Sequence, residues 1–179
     1  MNHPVEDADV CLLPYIAKSA KTHQIGGIRF MYDNIVESLS RIQIKNTGFG
    51  CILAHAMGLG KTFQVISFIE VFLRCTCADR VLCIVPINTI QNWQAEFNNW
   101  LPANGQHRLD EDTTFSYKRP FKVFLINDFA KTLKQRTEII CKFIYHIKGN
   151  NSQMKQNLKL NRIRNNKILF KINIELKLG

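Results

Sequence analysis

The chain has 179 residues, 46% of them hydrophobic, which is the size of one ordinary domain and enough to bury a core. No run of about 18 apolar residues occurs and the opening MNHPVEDADV is acidic, so neither a membrane span nor a secretory leader is supported and a soluble intracellular chain is expected. The net charge of +10 is unevenly placed: residues 146–179 hold eight Lys or Arg against one acid, so seven of the ten net charges lie there and residues 1–145 carry the other three.

Residues 1–20 read as an N-terminal extension, after which helix-like and strand-like segments alternate as far as residue 145. Ile28, Met31, Ile35, Leu39 and Ile42 recur every three or four positions, which predicts a helix with one apolar face ending near the loop KNTGFG. Cys51 to Ala54 reads as a short buried strand. Phe63 to Leu73 is apolar nearly all round, as in a buried helix. Arg80 to Val85 reads as a second strand stopped by Pro86, and Ile90, Trp93, Phe97, Trp100 and Leu101 mark the inner face of the next helix. Trp93, spaced with Ile90 and Trp100, is expected in the core rather than as a stacking platform. Residues 102–120 are polar and contain Gly105, which predicts a surface loop or insertion. Phe121 to Ile126 reads as a third strand, and Lys131 to Tyr145 as a helix with Ile139, Ile140, Phe143 and Ile144 inward. Strands separated by helices predict an α/β fold with a parallel sheet covered by helices on both faces. Six scattered cysteines (11, 51, 75, 77, 83 and 141) without a CxxC pair read as reduced structural thiols.

Residues 146–179 draw 18 of their 34 residues from Lys, Asn and Ile, a bias unlike the rest of the chain. All three have A/T-rich codons, so this tail is expected to be translated non-coding sequence, not native to the fold. The alternative is a basic arm for nucleic acid, since Phe170, Ile172, Ile174, Leu176 and Leu178 alternate with polar residues as in a strand.

Between the first strand and the buried helix lies Met57-Gly58-Leu59-Gly60-Lys61-Thr62. Two glycines let the backbone turn with its N–H groups inward, and the following helix start adds its own unpaired donors, so the segment predicts an anion-binding concavity. Lys61 is placed to reach the β- and γ-phosphates of a nucleotide, and the Thr62 hydroxyl to ligate Mg²⁺. The strict pattern GxxxxGK(S/T) wants glycine at position 55, which is His55 here.

HQIGGIRFMYDNIVESL, then GFGCILAHAMGLGKTFQVISFI, then VLCIVPINTIQNWQAEFNNWL together resemble the start of the first motor lobe of SWI/SNF-type chromatin-remodelling ATPases, in helicase superfamily two. Most members carry an Asp-Glu pair before MGLGKT. His55-Ala56 in that place, with HQIGGIRF and the Asn-Trp pair, is similar to the ATRX-like branch and within it to the androgen-receptor-interacting helicases. The resemblance covers about residues 14–145 and implies an incomplete RecA-like lobe, ATP with Mg²⁺, double-stranded DNA or nucleosomes as partner through the parent protein, a nuclear-receptor contact and a nuclear address. It also implies that Gln24 reads adenine, its amide offering a donor and an acceptor, and that Asn88, Thr89 and Asn92 touch the DNA backbone.

The resemblance implies a second acidic motif, Asp-Glu-x-His, that holds the metal and orients water. The only similar string is Asp110-Glu111-Asp112-Thr113, inside the polar segment, which reads as a solvated acidic cluster. No candidate for a second lobe with its arginine finger is visible. Two readings follow: part of an ATP-dependent DNA translocase with no complete catalytic set of its own, or a non-catalytic nucleotide- or nucleic-acid-binding module. A P-loop kinase or GTPase is a distant third, lacking an NKxD string. A parallel sheet without its later strands leaves an open edge and an uncovered apolar face, so aggregation or molten behaviour is expected when the chain is expressed alone.

Overall fold

The computed structural model describes residues 9–39, 50–76, 78, 80–110, 113–129, 131–145 and 169–170. The first elements are helical. Helix α1 (Pro14–Ser19) begins on a proline, whose missing N–H costs nothing in a first turn, and buries Tyr15 and Ile16. Helix α2 (Thr22–Ile35) is capped by its own third residue: the Gln24 side-chain oxygen accepts the Lys21 N–H at 3.0 Å. It buries Gly27, Ile28, Met31, Tyr32 and Ile35 on one face, as the spacing predicts. It stops short of the expected end, with Glu37 in the left-handed region at φ 58°. Ile42 lies outside the described residues.

Helix α3 (Lys61–Cys75) is the centre of the fold. Every residue from Phe63 to Phe72 is buried, and the helix packs against α2 on one side. On another it meets α4 (Ile90–Trp100), which follows a short 3₁₀ turn at Ile87–Thr89. Trp93, Phe97 and Leu101 point from α4 into the common core, as expected for Trp93. Trp100 is partly covered and meets the Phe63 ring edge-on at 4.5 Å. Glu70 is 1% exposed, and the Arg74 guanidinium holds its carboxylate at 2.8 and 3.3 Å while donating to the Cys11 carbonyl at 2.5 Å.

The polar stretch 102–120 is not a loop. It forms a hairpin of β2 (Asn104–Arg108) and β3 (Thr114–Lys118), paired antiparallel from Asn104↔Lys118 to Arg108↔Thr114. Its strands alternate sides: Phe115 and Tyr117 turn in, while Thr114, Ser116 and Lys118 face water. The segment therefore looks polar on average although its period is that of a strand. Tyr15 stacks on His107 at 3.6 Å between ring centroids and donates its hydroxyl to the Trp100 carbonyl at 2.8 Å, which fastens the hairpin and α1 to the end of α4. Burial and then the Glu70 carboxylate push the Tyr117 phenol up to about 12. Asp110 sits in the hairpin's turn, exposed and 3.2 Å from Lys18, in keeping with a solvated cluster; Glu111 and Asp112 lie outside the described residues.

The sheet departs furthest from expectation. Cys51–Ala54 and Phe121–Leu125 carry no strand ladder, and only Arg80–Val81 (β1) of the second segment does. After a short helix α5 (Ile126–Phe129) comes α6 (Leu133–Tyr145), whose start is fixed by a Thr132–Gln135 capping box. Then β4 (Leu169–Phe170) pairs parallel to β1, with Arg80 opposite Leu169 and Val81 opposite Phe170. Among the described residues the parallel arrangement is this two-residue ladder, not a sheet covered on both faces. An apolar run signals burial, but a ladder needs a hydrogen-bonding neighbour that the run itself does not specify. Most of the 146–179 tail lies outside the described residues, yet its Leu169–Phe170 supplies one of these strands.

Ile52, Ile84 and Phe124, one in each expected strand segment, are 60%, 63% and 60% exposed. Such apolar surface favours association, so the purified chain is expected to form oligomers whose size rises with concentration in sedimentation velocity. A monomer at all concentrations would contradict this. Cys11, Cys51, Cys75 and Cys83 are free; the last three are partly covered, and burial pushes the Cys83 thiol up to about 11.

Candidate nucleotide-phosphate site

The loop 57–62 stands at the N-terminus of α3, where sequence and backbone agree. Gly58 has φ 81° and Gly60 has φ 71°, both in the region that side chains disfavour. Gly60 is the N-cap of α3, and the first bond of the helix runs from the Gln64 N–H to the Gly60 carbonyl at 3.1 Å. The N–H groups of Lys61, Thr62 and Phe63 therefore have no partner within the helix, which is the donor set an anion needs. A side chain on Gly58 would meet nothing within 4 Å, so this glycine serves its backbone angle and leaves the mouth of the loop open.

Lys61 bends back across the loop. Its ammonium donates to the carbonyls of His55 at 2.7 Å and Ala56 at 3.0 Å, which uses two of its three protons and leaves one for an incoming oxygen. Thr62 follows, half-buried in the first turn. Met57 and Leu59 are exposed, at 66% and 39%, and contribute backbone rather than packing.

Helix α2 supplies the wall beside the loop. Gln24 donates to the Leu59 carbonyl at 3.4 Å, and His23 Nε2 lies 3.4 Å from the same oxygen. A Cβ on Gly60 would stand 2.4 Å from the Gln24 amide nitrogen, so a side chain here would displace the end of Gln24 from the loop. The rings of His23 and His55 meet edge to face at 6.2 Å.

The structure thus brings Gln24 and Met57 through Thr62 into one place. Asn88, Thr89 and Asn92 stand apart from it on the 3₁₀ turn and the start of α4, the two asparagines exposed and the Thr89 hydroxyl bonded to the Pro86 carbonyl at 2.8 Å. Among the described residues, no group of three or more His, Cys, Asp or Glu is placed to hold a metal ion. Sequence reasoning missed Gln64 and Gly27. The available signal was the one amide in a mostly apolar helix, one turn after the loop.

Set against known proteins, the chain matches the SNF2-related domain over residues 23–170, reaching past Tyr145 where the resemblance was expected to fade. Helicase ARIP4 of Mus musculus is 54% identical over 144 residues, which are 80% of this chain and 10% of that protein; its Homo sapiens counterpart is 53% identical over the same length and shares. The transcriptional regulator ATRX homolog of Drosophila melanogaster is 40% identical over 118 residues, 64% of this chain and 9% of that protein. The chain spans about a tenth of the length of these curated relatives.

Proposed function

The chain belongs to the SNF2-related domain family, in its ATRX-like branch, and from that membership we propose that residues 21–145 are the ATP-binding part of an ATP-dependent DNA translocase of the chromatin-remodelling type, on a RecA-like lobe. The observation that carries the proposal is the two-glycine loop in left-handed conformation, opening a buried helix, with Lys61 folded over its rim. Bound with Mg²⁺, ATP supplies the phosphoanhydride bond whose cleavage drives such motors.

The parts played by this chain follow from its groups. The unpaired N–H donors at the start of α3 and the free ammonium proton of Lys61 take phosphate oxygens. The Thr62 hydroxyl ligates the cation, and Gln24, already against the loop, turns its amide to the base. Asn88, Thr89 and Asn92 receive DNA phosphates, which positions the duplex without reading sequence. Chromatin DNA, a nuclear address and a nuclear-receptor contact belong to the same proposal, through the parent protein. The sequence holds no Asp-Glu-x-His string to orient water, and Asp110 is solvated at a hairpin turn, so the chain binds nucleotide without turning it over.

Titration with a fluorescent ATP analogue in Mg²⁺ tests this. Lys61→Ala removes a charge-assisted contact worth about 1.5–3 kcal/mol, so a loss of affinity of roughly 10–100-fold is expected. Phosphate release in the presence of duplex DNA is expected to stay at background. Turnover that Lys61→Ala abolishes would overturn the non-catalytic part, and unchanged affinity in that variant would overturn the site.

A further inference from the structure

We propose that Gln64 is a positioning residue that sets the direction of the phosphate-binding N–H groups, and that Gly27 exists to admit it; this rests on the nucleotide reading above. Gln64 is 0% exposed in the first turns of α3. Its side-chain nitrogen lies 3.1 Å from the Leu59 carbonyl, 3.4 Å from the Gly60 carbonyl and 3.3 Å from His55 Nδ1. The two amide protons are shared among these three acceptors, the Leu59 carbonyl being the nearest; in that arrangement His55 Nδ1 accepts and its ring proton sits on Nε2.

The consequence follows from the planarity of the peptide. In a trans peptide the C=O and the next N–H point in opposite directions. A Leu59 carbonyl held toward the protein therefore turns the Gly60 N–H outward, and a Gly60 carbonyl held the same way turns out the N–H of Lys61. The amide of Gln64 reaches both carbonyls, and His23 and Gln24 meet the first of them from α2. Gln64 is the one side chain that reaches both carbonyls, adding to the first helix bond on Gly60 and to His23 and Gln24 on Leu59.

The orientation of the amide has a cost. The Gln64 oxygen is buried and has no hydrogen-bond partner. Flipping the amide would set that oxygen against two carbonyls and lose both donors, so the donor role decides the rotamer. Helix α2 makes room for it: a Cβ on Gly27 would lie 1.9 Å from the Gln64 oxygen and 3.2 Å from His55 Cε1. Any side chain at 27 evicts the amide from behind the loop.

Gln64→Met separates positioning from packing. It keeps length and volume and removes both donors together with the unpaired oxygen; the Leu59 carbonyl keeps His23 and Gln24 and the Gly60 carbonyl keeps the first helix bond, so the loss to folding is small. In the full 179-residue chain the variant is expected to melt close to the wild-type temperature, while affinity for the fluorescent ATP analogue falls about tenfold. The amide resonances of Gly60 and Lys61 and the His55 Nδ1 resonance are expected to shift, with the rest of the spectrum unchanged. Gly27→Ala is expected to move the same three signals. A Gln64→Met chain that unfolds, or one that folds with wild-type Gly60 and Lys61 resonances, overturns the proposal. If wild type itself binds no nucleotide, the functional reading fails alone, because the resonances still report whether Gln64 aims these groups.

Discussion

Replacing Phe68 by alanine is expected to cost about 3–5 kcal/mol of folding free energy, the range for deleting a buried aromatic ring. The ring is 0% exposed, sits 5.8 Å from Phe72, and belongs to a helix buried continuously from Phe63 to Phe72. With α2 and α4 both packed on α3, a hole there has neighbours on two sides that are anchored elsewhere and cannot easily close it. A domain of this size holds about 5–15 kcal/mol in total, so much of the reserve goes with one side chain. Urea unfolding at high dilution, followed by the fluorescence of Trp93 and Trp100, reads the shift in midpoint. Phe30→Ala is the control: its ring is 45% exposed, and a change within about 0.5 kcal/mol is expected. Equal losses in the two variants would refute a core centred on α3.

Arg74→Ala carries the second large effect, through what it leaves behind. Glu70 is 1% exposed, and Arg74 is its ion-pair partner on the same helix, one turn on. Breaking a wholly buried pair costs about 3–5 kcal/mol because one charge stays in the interior uncompensated. The Arg74 side chain is 38% exposed, so water partly screens the pair and about 2–3 kcal/mol is expected. The same substitution removes the donor that ties the Cys11 carbonyl to α3. Adding Glu70→Gln to Arg74→Ala is expected to return more than half of the loss, since a neutral amide has no charge to strand. If the double variant is no better than the single, the stranded carboxylate is not the cause, and packing of the arginine stem is.

What the sequence made legible was local. Gly58 and Gly60 could be read as the glycines of a tight turn opening a helix because that signal resides in adjacent residues, and both take the positive φ that the reading required. The burial of α3 and the inward Trp93 and Phe97 of α4 followed from composition and a period of three to four. What failed was pairing. Cys51–Ala54, Arg80–Val85 and Phe121–Ile126 are apolar enough for strands, yet ladder formation depends on residues far away in the chain, and only Arg80–Val81 is paired. The hairpin escaped for the opposite reason, its polar average hiding an alternation whose inward members are Gly105, His107, Phe115 and Tyr117. Gln64 escaped because its partners, two carbonyls and a ring nitrogen, become visible only when the loop is folded over it.

One helix performs two duties here. The first turn of α3 is the rim of the proposed phosphate cradle, and its next turns are the middle of the core. Ligand and folding are then thermodynamically linked: whatever binds the ordered loop draws the population toward the folded state. At a nucleotide concentration a hundred times Kd, that linkage is worth about 2.7 kcal/mol, similar to the loss expected from Arg74→Ala. If the proposed site holds Mg·ATP, a destabilised variant that melts early by itself is expected to be rescued at saturation, the ligand acting as a folding partner of the chain that holds it.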